Sequence, residues 1–133
     1  ARRAKKVVGV EGSQEMVIRG SENASLNGLS NIEFHAADLF QPISEKDWAA
    51  QQYSKIILDP PRSGAIEIIP EIAKLGAKII VYVSCNPATL ARDTAELISA
   101  GYQLRATGVM DMFPHTTHVE SMAVFDAGKR PRK

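Results

Sequence analysis

The amino-acid sequence predicts an α/β fold, a mostly parallel sheet with an antiparallel hairpin at its C-terminal end. Strand-like and helix-like stretches alternate from Lys5 to Gly101, the pattern of parallel strands joined by crossover helices. Two strand-like stretches then follow one another, Tyr102 to Met112 and His118 to Phe125, separated only by the turn-forming Phe113-Pro114-His115-Thr116-Thr117. Ile79 to Val83 is an unbroken apolar run rich in β-branched residues, as expected of a strand buried on both faces.

Each element has its own signals. Val7-Val8-Gly9-Val10 is a short apolar strand closed by Glu11 and Gly12. Ser13 can cap the following helix, and Asn27-Gly28 can end it. Asn31 to Ala36 is the second strand, with Ala37-Asp38 just past its end. Leu39 to Gln52 is polar, holds the sole tryptophan, Trp48, and reads as a loop with a short helix. Tyr53 to Leu58 is the third strand, stopped by Asp59-Pro60-Pro61-Arg62. A helix from about Glu67 to Leu75 tolerates Pro70 only in its first turn, where no intrahelical N–H bond is lost. After the Ile79–Val83 strand, Asn86 is a natural cap and Pro87 suits the first helical position. Leu90, Thr94, Leu97 and Ile98 are spaced to share one helix face, and Gly101 ends that helix.

Composition narrows the class of protein. The chain has 133 residues, 44% hydrophobic and 23% charged, which suits one globular domain with a real core. A net charge of +1 gives no whole-chain signal for nucleic acid or membrane. Both ends are basic (Arg2, Arg3, Lys5, Lys6; Lys129, Arg130, Arg132, Lys133), and residues 127–133 read as a solvated tail behind a domain of residues 1–126. A single cysteine rules out an internal disulfide and suits a reducing compartment. No run approaches the roughly 20 apolar residues of a membrane span. A nucleotide-type α/β domain normally opens with a strand and a glycine-rich turn ahead of an acid-ended strand. Here the chain opens on that acid-ended strand, and Ala1-Arg2-Arg3-Ala4 reads as the tail of a helix. The expectation is the C-terminal part of a longer protein.

Right-handed crossovers put the strand ends that carry Glu11, Asp38, Asp59 and Cys85 along one sheet edge. In open α/β sheets ligands bind outside the carboxyl ends of the strands. Cys85 stands in a strand-to-helix turn beside a helix N-terminus, which favours a thiolate. On position alone, nucleophile and small core filler are evenly matched. Glu11 could accept hydrogen bonds from both hydroxyls of a ribose, and Asp38 could face an adenine; either could equally be an exposed loop acid. The two prolines after Asp59 make a rigid turn that aims its carboxylate, beyond what a strand terminator needs. Glu120, at the start of the last strand, could share a pocket with Cys85, a pairing suited to covalent addition followed by proton removal, or be a surface acid. His115 and His118 beside Glu120 lack any metal-site spacing, so no metal is expected.

Three stretches carry a family resemblance: Asp59-Pro60-Pro61-Arg62, then Tyr82-Val83-Ser84-Cys85-Asn86-Pro87-Ala88-Thr89-Leu90-Ala91-Arg92-Asp93, then Asp111-Met112-Phe113-Pro114-His115-Thr116 with His118-Val119-Glu120-Ser121-Met122. Together they resemble the S-adenosylmethionine-dependent RNA 5-methyluridine methyltransferases, over about Val7 to Phe125. The resemblance implies a Rossmann-like class I methyltransferase sheet lacking its first strand and glycine-rich loop. It implies Cys85 as the nucleophile on carbon 6 of uracil and Glu120 as the base at carbon 5. Glu11, Asp38 and Asp59 then hold S-adenosylmethionine. The wording Asp-Met-Phe-Pro-His-Thr and Glu-Ser-Met is closer to the ribosomal RNA branch than to the transfer RNA branch, so the implied partner is RNA, in the cytoplasm, without a membrane. Some members carry an iron–sulfur cluster; one cysteine cannot hold one. Two other readings compete. A methyltransferase acting on an exocyclic or amide nitrogen also uses a Pro-Pro turn, with an aromatic residue where Arg62 stands, and needs neither Cys85 nor Glu120. A non-catalytic α/β module that binds RNA or nucleotide is the second.

Overall fold

The structure, a computed structural model, describes residues 1–112, 114–116 and 118–128. Phe113 and Thr117 of the expected turn, and the basic residues from Lys129 onward, lie outside the described residues. The chain divides into two compact units, residues 1–41 and the remainder from Pro42, each described by itself.

The first unit is a βαβ element of β1 (Val7–Glu11), α1 (Gln14–Leu26) and β2 (Ile32–Ala36). The two strands are parallel, in register from Val7 opposite Ile32 to Glu11 opposite Ala36. Ser13 caps α1, its Oγ accepting from the Met16 N–H at 3.4 Å, and Gly28 ends it at φ +64°. Val17 and Ala24 are the buried residues of α1. The Phe34 ring fills the space between strand and helix: a Cβ on Gly9 would come within 2.6 Å of it and one on Gly20 within 2.9 Å. Residues 1–4 form a single turn rather than a helix tail, closed by Ala4 N–H to Ala1 O at 3.0 Å and tied down by the Asn31 amide.

The second unit begins with a 3₁₀ turn, Asp47–Ala50, which buries Trp48. It continues through β3 (Lys55–Leu58), α2 (Ile69–Lys74), β4 (Ile79–Ser84), α3 (Pro87–Ser99), β5 (Tyr102–Met110) and β6 (Glu120–Ala127). The sheet order is β3-β4-β6-β5. β3 and β4 are parallel, while β6 slots between β4 and β5, antiparallel to both. The α/β class is as the sequence predicts. The hairpin does more than close one edge, however, because its second strand is the one that joins the β4 core.

Burial explains this order. Ile80 and Tyr82 of β4 alternate onto the same face as Ala123 and Phe125 of β6, and all four are at most 1% exposed. Leu90 and Leu97 of α3 and Ile69 and Ile72 of α2 are buried with them. Each large apolar side chain in that layer contributes roughly 1.5–3 kcal/mol by leaving water. β5, on the outer edge, is exposed over most of its length.

Element ends differ from the sequence expectation in small ways. β3 starts two residues later, at Lys55, and α2 is confined to Ile69–Lys74 with Pro70 in its first turn. β6 starts at Glu120, not His118, and runs to Ala127, into the segment expected as tail. On α3, Ile98 is 51% exposed, while Asp93 is fully buried. The helix therefore turns the Leu90-Asp93-Leu97 stripe to the core, and Ile98 falls just outside it.

Candidate active site

Strand register decides which predicted residues meet. β4 and β6 pair from Ile79 opposite Asp126 up to Ser84 opposite Ser121. One step beyond that last pair stand Cys85 and Glu120, at the same end of adjacent strands. Ser84 and Ser121 are buried on the helix-covered face, so alternation turns Glu120 toward the opposite face. Cys85 and Glu120 are both half-buried, the condition for a side chain that is fixed yet reachable. Asp59 reaches the same end from the other side. Leu58 is opposite Tyr82 in the parallel β3–β4 pair, and Asp59, the next residue, is exposed.

The turn that carries Cys85 is held from both flanks. The Asn86 N–H donates to Ser84 Oγ at 3.1 Å, and the Ser84 hydroxyl donates to Asn86 O at 3.0 Å. Asn86 Oδ1 caps α3 by accepting from the Ala88 N–H at 3.1 Å, and Pro87 takes the first helical position as expected. The same Asn86 side chain reaches the Asp59-Pro60-Pro61-Arg62 loop, donating through Nδ2 to Arg62 O at 3.1 Å. The Thr89 hydroxyl lies 3.2 Å from that carbonyl.

Asp93 is the residue that sequence reasoning missed. Its Oδ2 accepts from Tyr82 Oη at 2.5 Å and from the Ala65 N–H at 2.6 Å. Its Oδ1 accepts from Arg92 Nε at 2.8 Å and lies 2.7 Å from Arg92 Nη2. Burial, then the hydrogen bond to Asp93, then the charge of Asp93 push the Tyr82 hydroxyl above its ordinary range, so it stays a donor. A signal was available in the sequence. Asp93 stands at the helical spacing between Leu90 and Leu97, and an acid on an apolar stripe needs buried partners.

The remaining predicted residues belong to the first unit. Glu11 ends β1, exposed, with Oε1 accepting from the Ser13 N–H at 2.9 Å. Asp38 is also exposed, with Oδ1 accepting from the Phe40 N–H at 2.9 Å. Glu11 is opposite Ala36 and its carbonyl accepts from the Ala37 N–H at 3.0 Å, so Glu11 and Asp38 share one end of the two-stranded sheet. Among the described residues no group of three or more His, Cys, Asp or Glu could hold a metal ion. A surface depression of about 310 Å³, lined by Lys5, Lys6 and the stretch from Ser30 to Glu33, is at the other end of that sheet and touches none of these acids. No helix of the described residues is long and apolar enough to cross a membrane.

The family model described as tRNA (Uracil-5-)-methyltransferase matches residues 1–127. The 23S rRNA (uracil(1939)-C(5))-methyltransferase RlmD of Alcanivorax borkumensis is 63% identical over 130 residues, covering 98% of this chain and 29% of the relative. Its namesake from Hahella chejuensis is 60% identical, covering 95% and 29%. The chain thus spans under a third of the length of these relatives. Among solved structures, the Pyrococcus abyssi tRNA (uracil-54, C5)-methyltransferase in complex with S-adenosyl-L-homocysteine superposes with a TM-score of 0.79 at 31% identity, over 94% of this chain and 30% of that one. TrmN from Thermus thermophilus superposes with a TM-score of 0.71 at 17% identity, covering 92% and 36%, a likeness of fold alone.

Proposed function

Since this chain belongs to the tRNA (uracil-5-)-methyltransferase family, we propose that it is a catalytic part of a longer cytoplasmic enzyme that methylates carbon 5 of a uridine in RNA. The observation that supports this reading is the β4–β6 register, whose last pair is Ser84 opposite Ser121, so that Cys85 and Glu120 each lie one residue beyond it at the same end of the two strands. Ribosomal RNA is favoured as substrate over transfer RNA, because relatives at 54–63% identity are named 23S rRNA methyltransferases.

Carbon 5 of uracil is a weak nucleophile until a thiolate adds to its neighbour. In this reading the Cys85 thiolate forms a bond to carbon 6, and the displaced electron pair makes carbon 5 nucleophilic. S-adenosylmethionine, when bound, supplies the methyl group that carbon 5 takes up. Glu120 then removes the remaining proton from carbon 5. The electron pair released re-forms the ring double bond and expels Cys85 as thiolate. The base has to leave any stack to reach a half-buried cysteine.

Glu11, Asp38 and Asp59 would hold the cofactor. Their chemistry fits: all three are exposed carboxylates, acceptors for ribose hydroxyls and adenine amine. In Glu11 and Asp38 one oxygen is fixed by a backbone N–H two residues on, which aims the carboxylate without a distant partner.

The test is substitution in the longer protein, with transfer of labelled methyl groups to unmethylated ribosomal RNA as readout. Cys85→Ala lowers turnover by a factor on the order of 10³ or more, since addition at carbon 6 is lost. Near-normal turnover would instead favour nitrogen methylation, which needs no nucleophile.

A further inference from the structure

Asp93 is a fully buried carboxylate in a helix, and the chemistry above does not use it. Burying an ionised carboxylate is costly unless every lone pair finds a donor. Here the donors come from three places: Tyr82 on β4, Ala65 in the loop after β3, and neighbouring Arg92. Arg92 Nη2 also donates to Ser63 O at 2.8 Å. With Asn86 and Thr89 on Arg62 O, the first two turns of α3 thus grip Arg62, Ser63 and Ala65. Gly64, between them, has φ +88°, and a Cβ there would come within 2.5 Å of both Arg92 Nη2 and Asp93 Oδ2. The loop lies directly on the Arg92–Asp93 pair, with no room for a side chain.

The loop begins with Asp59 and the helix begins after Cys85. The grip therefore joins the two segments to which the proposed function assigns cofactor and nucleophile. A buried ion pair is weak evidence for stability and better evidence for a specified geometry. We propose that Asp93, with Tyr82 and Arg92, is a positioning unit that fixes the Asp59–Ala65 loop against the Cys85 turn and so sets the rate of methyl transfer. This rests on the assignment of Cys85 and Asp59 given above.

The test is steady-state kinetics of the longer protein on unmethylated ribosomal RNA, with thermal melting of each variant alongside. Asp93→Asn keeps the shape but gives up one acceptor oxygen, so either Arg92 or the Tyr82–Ala65 pair loses its partner. It lowers kcat by about 100-fold, the cost of an ångström-scale misplacement, with KM for RNA within about threefold. Tyr82→Phe removes one donor only and lowers kcat by less, and Arg92→Lys falls between. A wild-type kcat for Asp93→Asn overturns the proposal, even if its melting temperature drops, because Asp93 would then serve stability alone. If Asp93→Asn does not fold, the two milder variants decide: reduced kcat with unchanged melting supports the unit, and unchanged kcat overturns it. Cys85→Ala is run in parallel. An active Cys85→Ala enzyme sinks the assignment of the nucleophile, whereas an inactive one beside a fully active Asp93→Asn enzyme sinks only the positioning unit.

Discussion

The two units hold their acids in different ways. In the first, Glu11 and Asp38 are exposed and fixed by backbone N–H groups two residues further along the chain. In the second, Asp59 and Cys85 stand in turns tied together by bonds between residues 24 to 29 apart, from Asn86, Thr89, Arg92 and Asp93 to the loop after β3. A site built from local bonds tolerates change at a distance. A site built from long-range bonds couples one element to another, so a substitution far from the chemistry is felt there. Of the three acids proposed to hold the cofactor, Glu11 and Asp38 are fixed locally while Asp59 shares the long-range support of Cys85, the support that a nucleophile aimed at one carbon atom would need.

Substitutions in the two units break this contrast in a graded way. After loss of Cys85 itself, the largest effect belongs to Glu120→Gln, which removes the proposed base but leaves Cys85 and the acids proposed to hold the cofactor in place. Turnover falls by roughly 10²–10⁴-fold, the usual contribution of a general base. The methylated RNA adduct to Cys85 accumulates, visible as a band that resists denaturing electrophoresis. No adduct and full turnover would remove Glu120 from the mechanism.

Two glycines sharpen the contrast. Gly64 and Gly28 both have positive φ, but only Gly64 faces packed atoms; nothing lies within 4 Å of a Cβ on Gly28. Gly28→Ala costs about 1–2 kcal/mol from backbone strain alone. Gly64→Ala costs at least about 1 kcal/mol more, since Arg92 and Asp93 must shift as well. Hydrogen exchange of the longer protein measures both locally, at α1 for one and α3 for the other. Equal losses would mean that the loop is not seated on the ion pair.

The caps differ in the same sense, and the smallest effect is that of Ser13. Ser13→Ala removes one long bond to the Met16 N–H and costs α1 about 0.5–1 kcal/mol. Asn86→Ala removes the cap of α3 and the tether to Arg62 together. It costs about 1–2 kcal/mol by the same exchange measurement. Turnover also drops in Asn86→Ala and is unchanged in Ser13→Ala.

Much of this was legible in the sequence, for identifiable reasons. Asn86 before Pro87, Ser13 before α1 and the apolar run of β4 each announce themselves within a few residues, because caps and strands are local chemistry. That Cys85 and Glu120 could share a pocket is a chemical expectation, but the β4–β6 register that brings them to one sheet end is not readable from the sequence. That register depends on β6 inserting between β4 and β5, a choice made by the burial of Phe125 and Ala123 against α3. The spacing of Asp93 between Leu90 and Leu97 signals an acid that needs buried partners, but not which ones. Its partners, Tyr82 and Ala65, are 11 and 28 residues away, and only the folded chain brings them to one carboxylate. The exposure of Ile98 has the same origin, since seating Asp93 sets the rotation of α3.

The central claim is that Cys85 becomes bonded to the uracil that is methylated. It is tested most directly by incubating the longer protein with S-adenosylmethionine and ribosomal RNA containing 5-fluorouridine, followed by digestion and mass spectrometry. Fluorine at carbon 5 cannot be taken off as a proton, so the adduct stalls before Cys85 is released. The account predicts a methylated fluorouridine attached to the peptide that holds Cys85. Methyl transfer to ordinary RNA with no such adduct would contradict it, and Cys85 would then be a structural residue of the turn.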